Sequence, residues 1–189
     1  MEAYLTDWLN LLVRWLHFIT GIAWIGSSLY FIWLDNHMAV PRDPADAEQG
    51  VGGEVWAVHG GGFYQARKYQ SSPSPLPDTL HWFKWEAYST WLSGMFLLGI
   101  VYFVGAEVYL IDRSVAELSV AAAIGSAIAI IVGGWVVYDL LCKTPLVQSS
   151  RVFAALLLVL CSVLAWGLCA LFSGRAAYIL FGATLGTIM

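Results

Sequence analysis

Four long apolar runs dominate this sequence, and each matches the ~20 residues that a helix needs to cross a bilayer. The chain has 189 residues, of which 59% are hydrophobic and only 12% are charged. Neither a soluble domain nor a disordered chain of this size carries so much apolar composition. The sequence therefore predicts an all-α, polytopic transmembrane helix bundle, with full spans at Leu9–Leu34, Glu86–Tyr109, Leu118–Leu141 and Val152–Phe172.

A fifth apolar run, Ala176–Met189, is too short to cross a bilayer. It predicts a truncated fifth helix, and we expect the chain to be a fragment of a longer membrane protein. The first span is too long and too polar for a cleaved signal peptide, so we expect it to remain as an anchor.

The distribution of lysine and arginine predicts the orientation. These residues are more numerous in the loop 35–85 and in the loop after the third span than on the opposite side. Such loops usually face the cytoplasm, so the N-terminus is expected outside and the loop 35–85 in the cytoplasm. With 9 basic against 13 acidic residues, no nucleic-acid partner is expected. The three cysteines form no CxxCH motif, so no c-type haem is expected within the chain.

The first span has a polar stripe along one helical face. Asn10, Arg14, Gly21 and Ser28 lie within about 60° of His17 at 100° per residue. Polar groups in a bilayer normally face the bundle interior. A histidine beside a glycine on such a face could ligate the iron of a haem b, with room for the porphyrin. The alternative is a histidine that hydrogen bonds to a neighbouring helix.

The second span begins with Glu86 and several hydroxyl side chains, which predicts a polar pocket at its cytoplasmic end. The loop before it holds two β-prone runs around Gly60–Gly62, which predict a β-hairpin. His59 could act as a general base, and Gln65 and Arg67 could bind a planar anion. The alternative is an exposed hairpin with ordinary surface charges.

Several strings of this sequence resemble the N-terminal membrane domain of the bacterial membrane-bound urate oxidase (PuuD-type) family. They are RWLH followed by GIAWIG, then GEVWAVHGGGFY, then HWFKWEA. The resemblance covers nearly the whole chain, 1–189. The first string also resembles the first helix of HemJ-type protoporphyrinogen oxidases and other small membrane haem proteins.

The resemblance implies a bundle of about eight helices in a bacterial inner (plasma) membrane. It implies oxidation of urate to 5-hydroxyisourate in purine catabolism. Electrons would pass to a c-type cytochrome, which is either a C-terminal domain absent from this chain or a soluble cytochrome c. The alternative is a non-catalytic haem-binding membrane anchor or a small-anion carrier.

Together these features predict the residues that carry each role. His59 or Glu86 would accept a proton from the substrate. Haem b would be held by His17 as iron ligand, with Gly21 and Arg14 beside it. Urate would be bound by a set of loop residues, namely Gly61, Tyr64, Gln65, Arg67 and Lys84.

Overall fold

A computed structural model describes residues 2–189 of the chain. It divides into two compact units. The bundle unit contains the chain up to Phe18 and from Tyr88 to Met189, and the hairpin unit contains Ile19–Ala87. Helix α1, Glu2–His37, runs without interruption through the predicted first span and beyond it at both ends.

The hairpin unit contains the predicted β-hairpin. Strand β1, Val51–His59, pairs antiparallel with β2, Gly62–Tyr69. Gly60 and Gly61 connect the strands with φ of 58° and 80°. A two-residue hairpin turn of this kind requires positive φ at both positions, which glycine adopts without steric cost. The hairpin prediction is confirmed.

A short helix, α2 (Pro44–Glu48), precedes the hairpin within a stretch that the sequence predicts as loop. Asp43 caps this helix, because its carboxylate accepts a hydrogen bond from the Ala45 amide at 2.9 Å. Proline at the first helical position also favours a helix start. The base of the hairpin is joined to the chain after α1 by a bridge between Ala39 and Glu54.

The predicted second span is interrupted in the structure. Helix α3 covers Trp85–Leu98, and one π-helical stretch, Gly99–Phe103, continues it. After Gly105 the short helix α4 covers Ala106–Tyr109. The four full spans are therefore not confirmed, since among the described residues only α1 and two later helices are both long and apolar enough to cross a membrane.

The two later helices are α5, Val120–Cys142, and α6, Ser150–Leu171, close to the predicted third and fourth spans. A 3-10 turn, Pro145–Gln148, lies between them. Helix α7, Gly174–Ile188, matches the predicted short fifth helix and packs against both α5 and α6.

Small residues let these helices approach closely, a packing that is common between membrane helices. Ala123 and Ala127 of α5 and Ala176 of α7 are fully buried. They belong to one apolar core of the bundle unit, which also contains Leu98, Tyr102, Ala106, Leu110, Ile131, Leu168, Phe172, Ala177 and Leu180.

Candidate functional site

His17 lies in the bundle unit and contacts helix α3. Its Nδ1 is 3.1 Å from the backbone carbonyl oxygen of Thr90 and 3.2 Å from the Ser93 hydroxyl oxygen. A carbonyl oxygen only accepts hydrogen bonds, so Nδ1 carries the proton of the neutral imidazole. The lone pair of that tautomer is then on Nε2.

Glycine at position 94 creates the space for this imidazole. A Cβ atom there would lie 2.9 Å from Cε1 of His17 and 3.4 Å from its Nδ1. Because real Cβ atoms do not approach so closely, any other residue would push the ring away from α3. The sequence gives no sign of this contact, since Gly94 reads as one of many small residues in an apolar span.

Hydroxyl groups on α3 complete the polar cluster around His17. The Ser93 hydroxyl donates to the Ser89 carbonyl oxygen at 2.6 Å, which leaves its oxygen facing the imidazole. Thr90 and Ser93 are both buried. Buried polar groups are costly unless they are hydrogen bonded, and the Thr90 carbonyl and the Ser93 hydroxyl both take part in the contacts around His17.

The other predicted cofactor residues flank this cluster along α1. Arg14 lies three residues before His17, and its guanidinium donates to the Asn10 side-chain oxygen at 3.0 Å. Gly21 lies four residues after His17 and is half-buried. Glu86, the predicted alternative base, lies in the first turn of α3 and is half-buried.

The strand register divides the predicted urate residues between the two faces of the hairpin. Glu54 pairs with Arg67 and Trp56 with Gln65, whereas Ala57 pairs with Tyr64 and His59 with Gly62. Side chains alternate between faces along a strand, and directly paired residues share a face. Gln65 and Arg67 therefore lie on one face, and His59 and Tyr64 lie on the other.

Two buried carboxylates engage the predicted anion-binding side chains. Gln65 donates to Oε2 of Glu54 at 2.7 Å, and Arg67 donates to Oδ1 of Asp46 at 2.8 Å. The Arg42 backbone amide also donates to Glu54, at 3.2 Å. Both carboxylates are buried, so removing a donor would leave a buried acid without that partner, which is costly. Sequence reasoning did not predict the pairs that Glu54 and Asp46 form, although acidic residues near a hairpin with arginine and glutamine would have suggested them.

The other predicted site residues of the hairpin, His59, Gly61 and Tyr64, are exposed. His59 and Gly61 lie at the turn, and the Tyr64 ring packs over the backbone of Gly62, where a Cβ would lie 3.1 Å from the ring. Lys84 is exposed just before α3. On this face of the turn, an exposed imidazole and an exposed phenol are accessible to a small molecule.

The described residues contain no group of three or more His, Cys, Asp or Glu side chains that could hold a metal ion. A metal site built only from protein side chains is thus absent from that part of the chain. A haem needs fewer protein ligands, because the porphyrin supplies four nitrogens and the protein supplies only the axial ligands.

These features define a class. The described residues form a helical protein with three membrane-length helices, a polar cluster around His17 in the bundle unit and a β-hairpin in the hairpin unit.

A family model described as urate oxidase N-terminal matches residues 3–189. The chain therefore belongs to the urate oxidase N-terminal family, as its sequence motifs indicated. Comparison with curated proteins gave no significant match, and neither did comparison with solved structures.

Proposed function

We propose that this chain is the membrane part of an enzyme that oxidises urate to 5-hydroxyisourate and passes the electrons to a c-type cytochrome. The observation that carries the proposal is the family match over residues 3–189, which relates nearly the whole chain to urate oxidation. The three membrane-length helices found among the described residues support a membrane location.

The proposed reaction adds the elements of water to urate and removes two electrons. Urate and water give 5-hydroxyisourate, two protons and two electrons. The protein must therefore provide a proton acceptor near the substrate and a route for electrons. A c-type cytochrome accepts one electron at a time, so two molecules of oxidised cytochrome are reduced for each urate.

His17 is the proposed axial ligand of a haem b on this electron route. Support comes from its tautomer, since a ligating histidine usually donates its other ring N–H to a carbonyl or carboxylate. Here Nδ1 donates to the Thr90 carbonyl and Nε2 carries the lone pair. When bound, the haem would supply one-electron chemistry between urate and the cytochrome. Arg14 and Gly21 remain proposed neighbours of this cofactor.

His59 is the proposed proton acceptor, with Glu86 as the alternative. An imidazole titrates near neutral pH, which suits a general base. His59 shares its hairpin face with Tyr64 and adjoins the turn at Gly61, so these three residues form the better-supported substrate-facing set. Gln65 and Arg67 support the hairpin through Glu54 and Asp46, and for them and Lys84 contact with urate remains a proposal.

The test is an anaerobic assay of membranes that contain the full-length protein, with urate and oxidised cytochrome c supplied. We expect loss of urate, formation of 5-hydroxyisourate and reduction of the cytochrome in a ratio of about one to two. Urate that is taken up but recovered unchanged would instead establish a carrier. Absence of any urate loss with folded protein would contradict the proposed activity.

A variant pair tests the base assignment within the same assay. His59→Ala should lower turnover by about 100-fold or more, in line with the loss of a general base. Val58→Ala, one residue earlier on the opposite hairpin face, is the matched control and should retain turnover. Equal rates for both variants would remove His59 from the mechanism.

A further inference from the structure

The Ser93 side chain lies beside the edge of the His17 ring that contacts helix α3. Its Oγ is 3.2 Å from Nδ1 of His17, and Ser93 is only 5% exposed. The proposed urate reaction gives this hydroxyl no role. It lies next to the ring nitrogen that carries the proton, and not next to the nitrogen that carries the lone pair.

Two backbone carbonyl oxygens of α3 are within reach of the Ser93 hydroxyl proton. The Ser89 oxygen is 2.6 Å from Oγ, and the Thr90 oxygen is 3.1 Å from it. Both oxygens only accept hydrogen bonds, so the proton goes to one of them in either case. The lone pairs of Oγ therefore remain available, and Ser93 accepts a hydrogen bond from Nδ1 of His17.

The Nδ1–H group of His17 is thus shared between two acceptors of α3. The Thr90 carbonyl oxygen is 3.1 Å from this nitrogen and the Ser93 oxygen is 3.2 Å from it. Nearly equal distances describe a three-centre hydrogen bond. Two acceptors define the direction of the N–H bond more closely than one, because a movement toward either oxygen lengthens the contact with the other.

Gly94 supplies a third contact, which limits rotation of the ring toward α3. A Cβ atom at this position would lie 2.9 Å from Cε1 of His17 and 3.7 Å from Nε2, so the ring edge already rests against the helix backbone. The two oxygens define the direction of Nδ1–H, and this contact restricts rotation about that direction. Together they determine where Nε2 directs its lone pair.

We propose that Ser93 is a positioning residue for His17, whose hydroxyl oxygen shares the Nδ1–H group with the Thr90 carbonyl and thereby orients Nε2. The consequence for haem rests on the proposed function, in which Nε2 binds the iron. A hydrogen bond from the other ring nitrogen orients a ligating histidine and raises its basicity. Loss of such a partner typically lowers metal affinity by about 10–100-fold. Ser93 thus strengthens haem binding without touching the haem.

The first measurement follows the Nδ1 proton of His17 and requires no urate turnover. Proton–nitrogen NMR spectra of ring-labelled histidine are recorded on the full-length protein in nonionic detergent. The sample is reduced under carbon monoxide, so that any haem b is diamagnetic. His17→Gln identifies the His17 signal by its loss. We expect Ser93→Ala to shift this proton resonance upfield, because the N–H group loses one of its two acceptors.

The second measurement follows the haem. Excess apomyoglobin captures haem released from the full-length protein, which gives the rate of haem dissociation. We expect Ser93→Ala to release haem about 10-fold faster than wild type.

Two further variants serve both measurements. Ser126→Ala is the matched control, since it removes a half-buried serine hydroxyl of α5 that donates to the Ala123 carbonyl oxygen at 3.0 Å. It should give the wild-type NMR signal and the wild-type rate of haem release. Ser93→Thr keeps the hydroxyl oxygen and should also behave as wild type.

An unshifted His17 signal in Ser93→Ala overturns the positioning role. The proposal is equally overturned if Ser93→Thr matches Ser93→Ala, since the effect then follows packing and not the hydroxyl. A shifted signal with unchanged haem release refutes the contribution of Ser93 to haem binding. A wild-type protein without haem b contradicts the proposed cofactor, and the NMR measurement still decides whether Ser93 orients His17.

Discussion

Polar groups are buried both in the hairpin unit and at the contact between α1 and α3. The two places differ in how far apart in sequence the hydrogen-bonded partners are. Glu54 bonds to Gln65, 11 residues away, and Asp46 to Arg67, 21 residues away. His17 instead bonds to groups 73 and 76 residues away. The hairpin charges bond to partners that are close in sequence, whereas His17 is positioned by packing between helices that are far apart in sequence.

This difference separates stabilising groups from candidate chemical groups. Arg67 and Gln65 have the right chemistry to bind an anion, but carboxylates of the same unit already engage them. A backbone carbonyl oxygen and a hydroxyl oxygen lie beside Nδ1 of His17, and the carbonyl fixes its tautomer. We therefore propose a supporting role for the hairpin charges and a chemical role for His17.

The largest expected effect comes from removing the His17 imidazole. His17→Ala should lower urate-dependent cytochrome c reduction by about 100-fold or more, because the proposed axial ligand is lost. The control is Ser28→Ala on the same helix, whose hydroxyl donates only to the Trp24 carbonyl oxygen. Wild-type turnover by His17→Ala would contradict the chemical role proposed for His17.

The next effect comes from filling the space beneath His17. Gly94→Ala places a methyl group 2.9 Å from the imidazole, which should cost about 1–3 kcal/mol of stability and also lower turnover. Gly99→Ala is the matched control, since nothing lies within 4 Å of a Cβ there. Thermal unfolding and turnover are measured for both variants. Indistinguishable results would contradict the described contact.

A smaller effect is expected from breaking the ion pair that supports the hairpin. Arg67→Ala leaves the Asp46 carboxylate, with 9% side-chain exposure, without its cation. Because Arg67 itself is 37% exposed, we expect about 1–2 kcal/mol of hairpin stability to be lost. Amide hydrogen exchange of β1 and β2 measures this loss.

Lys68→Ala, which removes an exposed ion pair, is the control in the same hydrogen-exchange experiment. The Lys68–Asp35 pair is exposed at both ends, with 57% and 55% side-chain exposure, so Lys68→Ala should cost under about 0.5 kcal/mol. Turnover should fall only as far as the folded fraction does in Arg67→Ala. A turnover loss in Arg67→Ala with unchanged exchange would instead assign Arg67 to substrate binding.

The smallest effect is a pH dependence in the loop after α4. Hydrogen bonds from the Ser114 hydroxyl and amide hold the pKa of Asp112 below its ordinary value of 3.8. A carboxylate with a lowered pKa contributes stability above its unfolded pKa, and this is lost as pH falls through the folded pKa. Ser114→Ala should raise the pKa of Asp112, as measured by NMR titration. An unchanged pKa would contradict the bond.

The hairpin was predictable because its signals are local. Two β-prone runs around Gly60–Gly61 define its strands and turn, and the register follows from the turn. Membrane-length helices were predictable from apolar runs in the same way. The interruption of the second span was not predictable. The apolar sequence through Gly99–Phe103 gives no sign of a π-helical stretch, nor of the break at Gly105 that follows it.

The contacts of the candidate site were less predictable. Helical periodicity placed His17 and Arg14 on one face of α1, but it does not say which residues of α3 meet that face. Gly94 and the Thr90 carbonyl become visible only once the helices are packed. The hairpin residues were correctly grouped in one loop, but their division between two faces depends on the exact register.

The most direct test of the central claim is the pyridine haemochrome spectrum of the purified full-length protein, which distinguishes b-type from c-type haem. We expect a b-type signal in the wild-type protein and in Arg67→Ala, and its loss in His17→Ala. A wild-type protein without b-type haem, or a full b-type signal in His17→Ala, would contradict the assignment of His17 as the cofactor ligand.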